Sequence, residues 1–189
     1  MKEGLKLKFN AQKIPGVYTI ESDSFIDNRG IYRRHFCKEA FQTEGLTAEI
    51  CQSNIAENKN RYTLRGFHYQ LSPYEEAKTF SCLAGSIYDI VVDLRVNSAT
   101  FLQWLSFELN EENRKSLFVP QGCANAFLTL EDNALVHYYS SQFYNSKAER
   151  GIRYNDPLFH FEWPTKPQVV SEKDLGFPDF AVNSHIEKV

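Results

Sequence analysis

The chain has 189 residues, a net charge of -3, 42% hydrophobic residues and 24% charged ones. That is ordinary globular usage: it argues against disorder, and it carries neither the footprint of a nucleic-acid binder nor a basic membrane-binding run. A chain this long buries roughly 70% of its unfolded surface, so one domain over residues 1–189 is expected, with no need of disulfide or metal to hold its core.

In chain order, the first 14 residues have no apolar run after their lysines and do not read as a signal peptide. Strands are predicted over residues 16–21, 31–36 and 48–54, with a turn at Asp27-Asn28-Arg29-Gly30 and a short helix over 38–44. Strands follow at 63–70 and 78–82. The clearest signal is residues 86–95, where Tyr88, Ile90, Val92 and Leu94 share one face and Ile87, Asp89, Val91 and Asp93 the other. Two aspartates among aliphatics point to a polar-lined interior or a sheet edge. Further strands are predicted at 104–109, 116–119, 124–128 and 134–139, with a helix at 111–115 and a helical piece near the C-terminus. Many short strands between turns such as Pro120-Gln121-Gly122 read as an all-β sandwich or barrel. No apolar stretch approaches the ~18 residues of a membrane span. Cys37, Cys51, Cys82 and Cys123 form no CxxC pair, and read as reduced thiols in strands of a cytoplasmic protein.

Aromatic residues are in excess, at 14%. They suit strands, and they also make stacking surfaces for flat ligands. Of the five histidines (His35, His68, His137, His160 and His185), His68 lies in the run Leu64-Arg65-Gly66-Phe67-His68-Tyr69-Gln70. Strict alternation places Arg65, Phe67 and Tyr69 on one face and Gly66, His68 and Gln70 on the other. Lys78 follows on the next strand. A metal-binding β-barrel of the cupin type presents two histidines one residue apart. Here the second position is Gln70, and residues 122–127 supply no histidine, so no metal is expected.

Several ordered motifs carry a resemblance: Phe25-Ile26-Asp27-Asn28-Arg29-Gly30-Ile31-Tyr32, Gln52-Ser53-Asn54, the His68 run, Asp89 to Arg95, Val119-Pro120-Gln121-Gly122, Tyr154-Asn155-Asp156, Trp163-Pro164 and Ser171-Glu172-Lys173-Asp174. Together they resemble the dTDP-4-dehydrorhamnose 3,5-epimerase family, metal-free cupins with a double-stranded β-helix (jelly-roll) fold. The resemblance implies a nucleotide-linked 4-keto-6-deoxyhexose as substrate, no cofactor, and a place in polysaccharide sugar synthesis. The ketone acidifies carbons 3 and 5. Epimerisation then needs a base, enolate stabilisation and an acid on the other face. By resemblance His68 is the base, Asp174 its orienting carboxylate, Lys78 the enolate partner and Tyr138 the acid. Arg65 would meet phosphate or sugar, and Tyr144 the sugar or diphosphate. In an N-terminal arm over about residues 1–36, Arg29 would reach a phosphate and Tyr32 stack on the base. Gln52 and Asn54 offer amides to the ligand, and the arm implies a homodimer. A bland reading makes Asp174 a helix cap and Tyr138 a core residue.

Two positions depart from the family pattern. A Phe-Ala-His-Gly-Phe run is replaced by Cys123-Ala124-Asn125-Ala126-Phe127, so Asn125 stands where a histidine is usual. Asn125 cannot carry positive charge. The expectation is an epimerase acting at carbon 3 only. Arg34 stands where the arm usually carries Glu, and a donor there suits cytosine better than thymine, so a cytidine-linked substrate is expected. The full 3,5-epimerase on the thymidine sugar, a 3,4-ketoisomerase and a non-catalytic sugar-binding cupin are the alternatives.

Overall fold

The computed structural model describes residues 4–185. Its elements in chain order are β1 (Leu7–Ala11), β2 (Tyr18–Ser22), β3 (Ser24–Asp27), β4 (Gly30–Arg33), α1 (Lys38–Thr43), β5 (Gln52–Asn58), β6 (Thr63–Gln70), β7 (Lys78–Ala84), β8 (Ser86–Asp93), β9 (Trp104–Asn110), β10 (Ser116–Val119), β11 (Cys123–Thr129), β12 (Ala134–Ser140), β13 (Glu149–Gly151), β14 (Val169–Val170), α2 (Glu172–Leu175) and α3 (Val182–His185). One sheet has the order β1-β2-β10-β7-β12-β5. The other runs β13-β6-β11-β8-β9, with β14 beside β6, and β3 and β4 form a separate hairpin. The fold is the expected all-β, cupin-type jelly roll.

Alternation along the strands divides the apolar residues into three layers. Between the sheets lie Phe80 and Cys82 of β7, Ile87 and Val91 of β8, Leu117 of β10, Phe127 of β11 and Val136 of β12. Behind the second sheet, Ile90, Val92, Ala124 and Phe67 are covered by the C-terminal aromatics Phe159, Phe161 and Trp163. Behind the first sheet, Ile20 and Phe118 pack on Phe41 of α1. Each such side chain contributes about 1.5–3 kcal/mol on full burial.

Several sequence expectations need correction. Residues 111–115 form a turn, because the Asn110 side chain accepts from the Glu112 and Asn113 amides and Arg114 has a φ of 51°. The strand expected from residue 48 starts at Gln52, where pairing with β12 begins, and Ala48 is buried beside Phe41 instead. Cys37 precedes α1 and Cys51 precedes β5, so neither lies in a strand; all four thiols are free. β1, β3, β13 and β14 were not anticipated.

Strict alternation also fails in β6. Asn125 of β11 pairs with His68, while Phe127 pairs with Arg65, so β6 carries one extra residue. The bulge sits at Gly66, whose φ is 116° and where a Cβ would come within 2.6 Å of Ala126 and the Asn125 carbonyl. Only glycine fits there. The consequence is that Arg65 and His68 both line the interior, while Phe67 and Tyr69 pack behind the sheet.

Candidate active site

At one end the two sheets part around a cavity of about 880 Å³. Its walls include His68, Lys78, Asn125, Tyr138, Arg65 and Asp174, with Gln52, Asn54 and Tyr144 also bordering it. His68 comes from β6 in one sheet, and Lys78 and Tyr138 come from β7 and β12 in the other. A ligand between the sheets therefore meets His68 and Tyr138 from opposite sides.

His68 Nε2 donates to Asp174 Oδ1 at 2.7 Å. Asp174 is buried, in the one-turn α2 capped by Ser171, and also accepts from the Gly66 amide at 3.4 Å. Burial alone would raise its carboxyl, but the His68 hydrogen bond and charge, with the Gly66 amide and Ser171, together outweigh that and hold it below its ordinary value. An ionised partner on Nε2 leaves Nδ1 as the basic nitrogen. The surface-cap reading of Asp174 is thus replaced: Ser171 is the cap. Phe177 packs against Gly151 on β13 and edges onto the His68 ring, where any larger residue at 151 would collide with it.

Lys78 Nζ reaches Glu76 at 2.7 Å and the His68 carbonyl at 3.3 Å. Glu76 in turn accepts from Ser140 Oγ at 2.6 Å. The Tyr138 ring stacks on Phe80, with centroids 4.9 Å apart. Burial raises the Tyr138 phenol above its ordinary value, helped by Glu76 and opposed by Arg65. Arg65 Nε donates to Asn58 Oδ1 at 2.8 Å. Asn125 Nδ2 donates to both carboxyl oxygens of the fully buried Asp89. At the mouth, the Tyr144 hydroxyl and Lys173 Nζ both donate to Glu149, at 2.7 and 2.6 Å, and Gln52 Oε1 accepts from the Tyr144 amide.

Sequence reasoning did not single out Asp89, Glu76, Glu149 or Lys173 as site residues. Asp89 had a signal, a carboxylate among aliphatics on an inward face; Glu149 had none. Arg29, Tyr32 and Arg34 stand apart from the cavity. They border a second hollow on the β3–β4 hairpin, with Leu5, Phe25 and Ile31, and Arg29 is paired with Asp27 at 2.5 Å. His35 and His137 meet each other at 3.3 Å, also outside this cavity.

The family model described as dTDP-4-dehydrorhamnose 3,5-epimerase matches residues 11–181. The chain belongs to that family. Like its members, it is an epimerase and so an isomerase. A curated family member from Shigella flexneri is 36% identical over 169 residues, covering 89% of this chain and 93% of its own. A crystal structure of the Bacillus anthracis family member with TDP and PPi bound is 31% identical, with a TM-score of 0.89 over 93% of this chain and 100% of its own. ChmJ from Streptomyces bikiniensis, a 3'-monoepimerase solved in complex with dTDP-quinovose, is 30% identical, with a TM-score of 0.82 over 88% of this chain and 85% of its own.

Proposed function

We propose that this epimerase inverts carbon 3 of a nucleoside-diphosphate 4-keto-6-deoxyhexose. The observation that carries the reading is the His68–Asp174 pair facing Tyr138 across the cavity, with Lys78 between elements of both sheets. His68 Nδ1 takes the proton next to the ketone. Asp174 holds the tautomer and balances the imidazolium. Lys78 has three N–H donors, two of them engaged, and offers the third to the enolate oxygen. Tyr138 returns a proton from the opposite sheet, and a phenol raised by burial and by Glu76 keeps that proton at neutral pH. Asn125 lacks the charge of the usual histidine, which supports restriction to carbon 3. ChmJ, described as a 3'-monoepimerase, has the same overall fold.

For the nucleotide, the exposed Arg34 guanidinium suits the ring-nitrogen acceptor of cytosine. A thymidine nucleotide is the second reading, favoured by the TDP bound to the Bacillus anthracis protein. Phe25, Ile26, Ile31 and Tyr32 are exposed on the hairpin that carries Arg29 and Arg34. That apolar surface fits an arm laid across a second copy, completing its nucleotide site. The deciding experiment incubates thymidine- and cytidine-linked 4-keto-6-deoxyglucose with the protein in D₂O. Deuterium at carbon 3 alone is expected, and label at carbon 5 as well sinks the restriction. No label with either sugar leaves a binding protein. Competition between TDP and CDP decides the nucleotide, and sedimentation decides the dimer.

A further inference from the structure

Asn125 is 5% exposed and forms part of the cavity wall. Its Nδ2 donates to Asp89 Oδ2 at 3.1 Å and to Oδ1 at 3.3 Å. An amide held this way commits its donor side to the carboxylate and leaves Oδ1, an acceptor, for the cavity. Asn125 also stands directly opposite His68 on the neighbouring strand. Such a pair places its Cβ atoms about 4.5–5.5 Å apart.

We propose that Asn125 determines specificity by accepting a hydrogen bond from the sugar hydroxyl next to the ketone, and that Asp89 is the positioning residue that fixes the amide in that sense. The inference rests on the reading of the ligand as a nucleotide-linked 4-keto-6-deoxyhexose. A ketone or enolate oxygen carries only lone pairs, so Oδ1 repels it and Lys78 attracts it. Of the two acidified carbons, carbon 3 bears a hydroxyl. Carbon 5 bears the ring oxygen and a methyl group, neither of which donates. A hydroxyl on Asn125 therefore brings carbon 3, and not carbon 5, within one side chain of His68. The substrate class is narrowed accordingly. Hexoses that keep the carbon-3 hydroxyl are bound, and 3-deoxy sugars are rejected because they leave a buried acceptor unpaired.

The test is titration calorimetry of the full chain with nucleotide-linked 4-keto-6-deoxyglucose and its 3-deoxy analogue, in both thymidine and cytidine forms. The 3-deoxy sugar is expected to bind about tenfold to a hundredfold more weakly. In Asp89→Asn the new amide can donate to Oδ1 and release the Asn125 NH₂ toward the cavity, so the ratio should fall toward one. Asn125→Ala, which removes the acceptor, should do the same. A general loss of packing would weaken both sugars alike and leave their ratio unchanged. Equal affinities in the parent protein, or an unchanged ratio in both variants, overturn the proposal. Deuterium exchange at carbon 3 alongside equal affinities would overturn it while leaving the proposed reaction standing. Failure of every nucleotide sugar to bind would overturn the ligand reading and this inference with it.

Discussion

Strand β8 carries two aspartates on one face, both fully buried: Asp89 in mid-strand beside the cavity residue Asn125, and Asp93 at the strand's end. Asp93 is saturated. Arg95 donates to both its oxygens at 2.8 Å, and the hydroxyls of Ser98 and Thr100 each donate at 2.6 Å. Burial pushes Asp93 up, but these donors outweigh it and hold the carboxyl at about 2. Asp89 has the Asn125 amide and the nearby Lys78 charge, and burial pushes it well above its ordinary value despite both. The difference separates two uses of a buried carboxylate. One surrounded by donors from its own following loop ties down structure. One short of donors, beside a cavity, sets up a site.

That contrast can be tested on both sides. The largest effect is expected at the cavity, where Asp174→Asn should lower the exchange rate about 10³–10⁴-fold by releasing the His68 tautomer. Exchange within tenfold of the parent would remove Asp174 from the mechanism. Next, Gly66→Ala should destabilise the fold by about 3 kcal/mol or more, since its Cβ would strike β11 backbone in a conformation that disfavours L residues. Urea titration reads this directly.

Asp93→Asn should cost about 2–3 kcal/mol at pH 7. The sign follows from its depressed carboxyl. The stabilisation is fully present above the unfolded value of 3.8 and is lost as pH falls toward about 2, so acid melts of the parent and the variant should converge there. The smallest effect is expected for Asp89→Asn. A raised carboxyl contributes with the opposite sign, its penalty growing as pH rises past 3.8, so the variant should be as stable as the parent at pH 7, or more so. A loss equal to that of Asp93→Asn would erase the distinction between the two carboxylates.

Much of this architecture is legible in residue patterns. The boundaries of β6 and β10 coincide with expectation because turn residues flank both runs closely. The hairpin strand β3 escaped because Ser24–Asp27 is exposed and carries no buried face. The family resemblance singled out His68, Lys78, Tyr138 and Asp174, and the fold gathers them around one cavity from four separate segments. What the resemblance did not carry is pairing between side chains distant in sequence. The Glu76–Lys78 link is local, but Asp89 meets Asn125 only through strand register, and Glu149 meets Lys173 only because β13 and α2 converge beside β6. The faces of β6 were misassigned for a related reason. A bulge looks like any other glycine until its partner strand is known.

That extra residue makes β6 behave like text with one inserted letter. Residues after Gly66 keep the frame in which His68 points inward; residues before it are read one step out of phase, so Arg65 points inward too. Loss of the single codon for Gly66 would restore a perfect ladder without turning any side chain over: His68 and Arg65 would stay opposite Asn125 and Phe127, with Phe67 opposite Ala126. What would go is the amide that Asp174 accepts. The strand would keep its message and lose only a mark of punctuation that the neighbouring carboxylate reads.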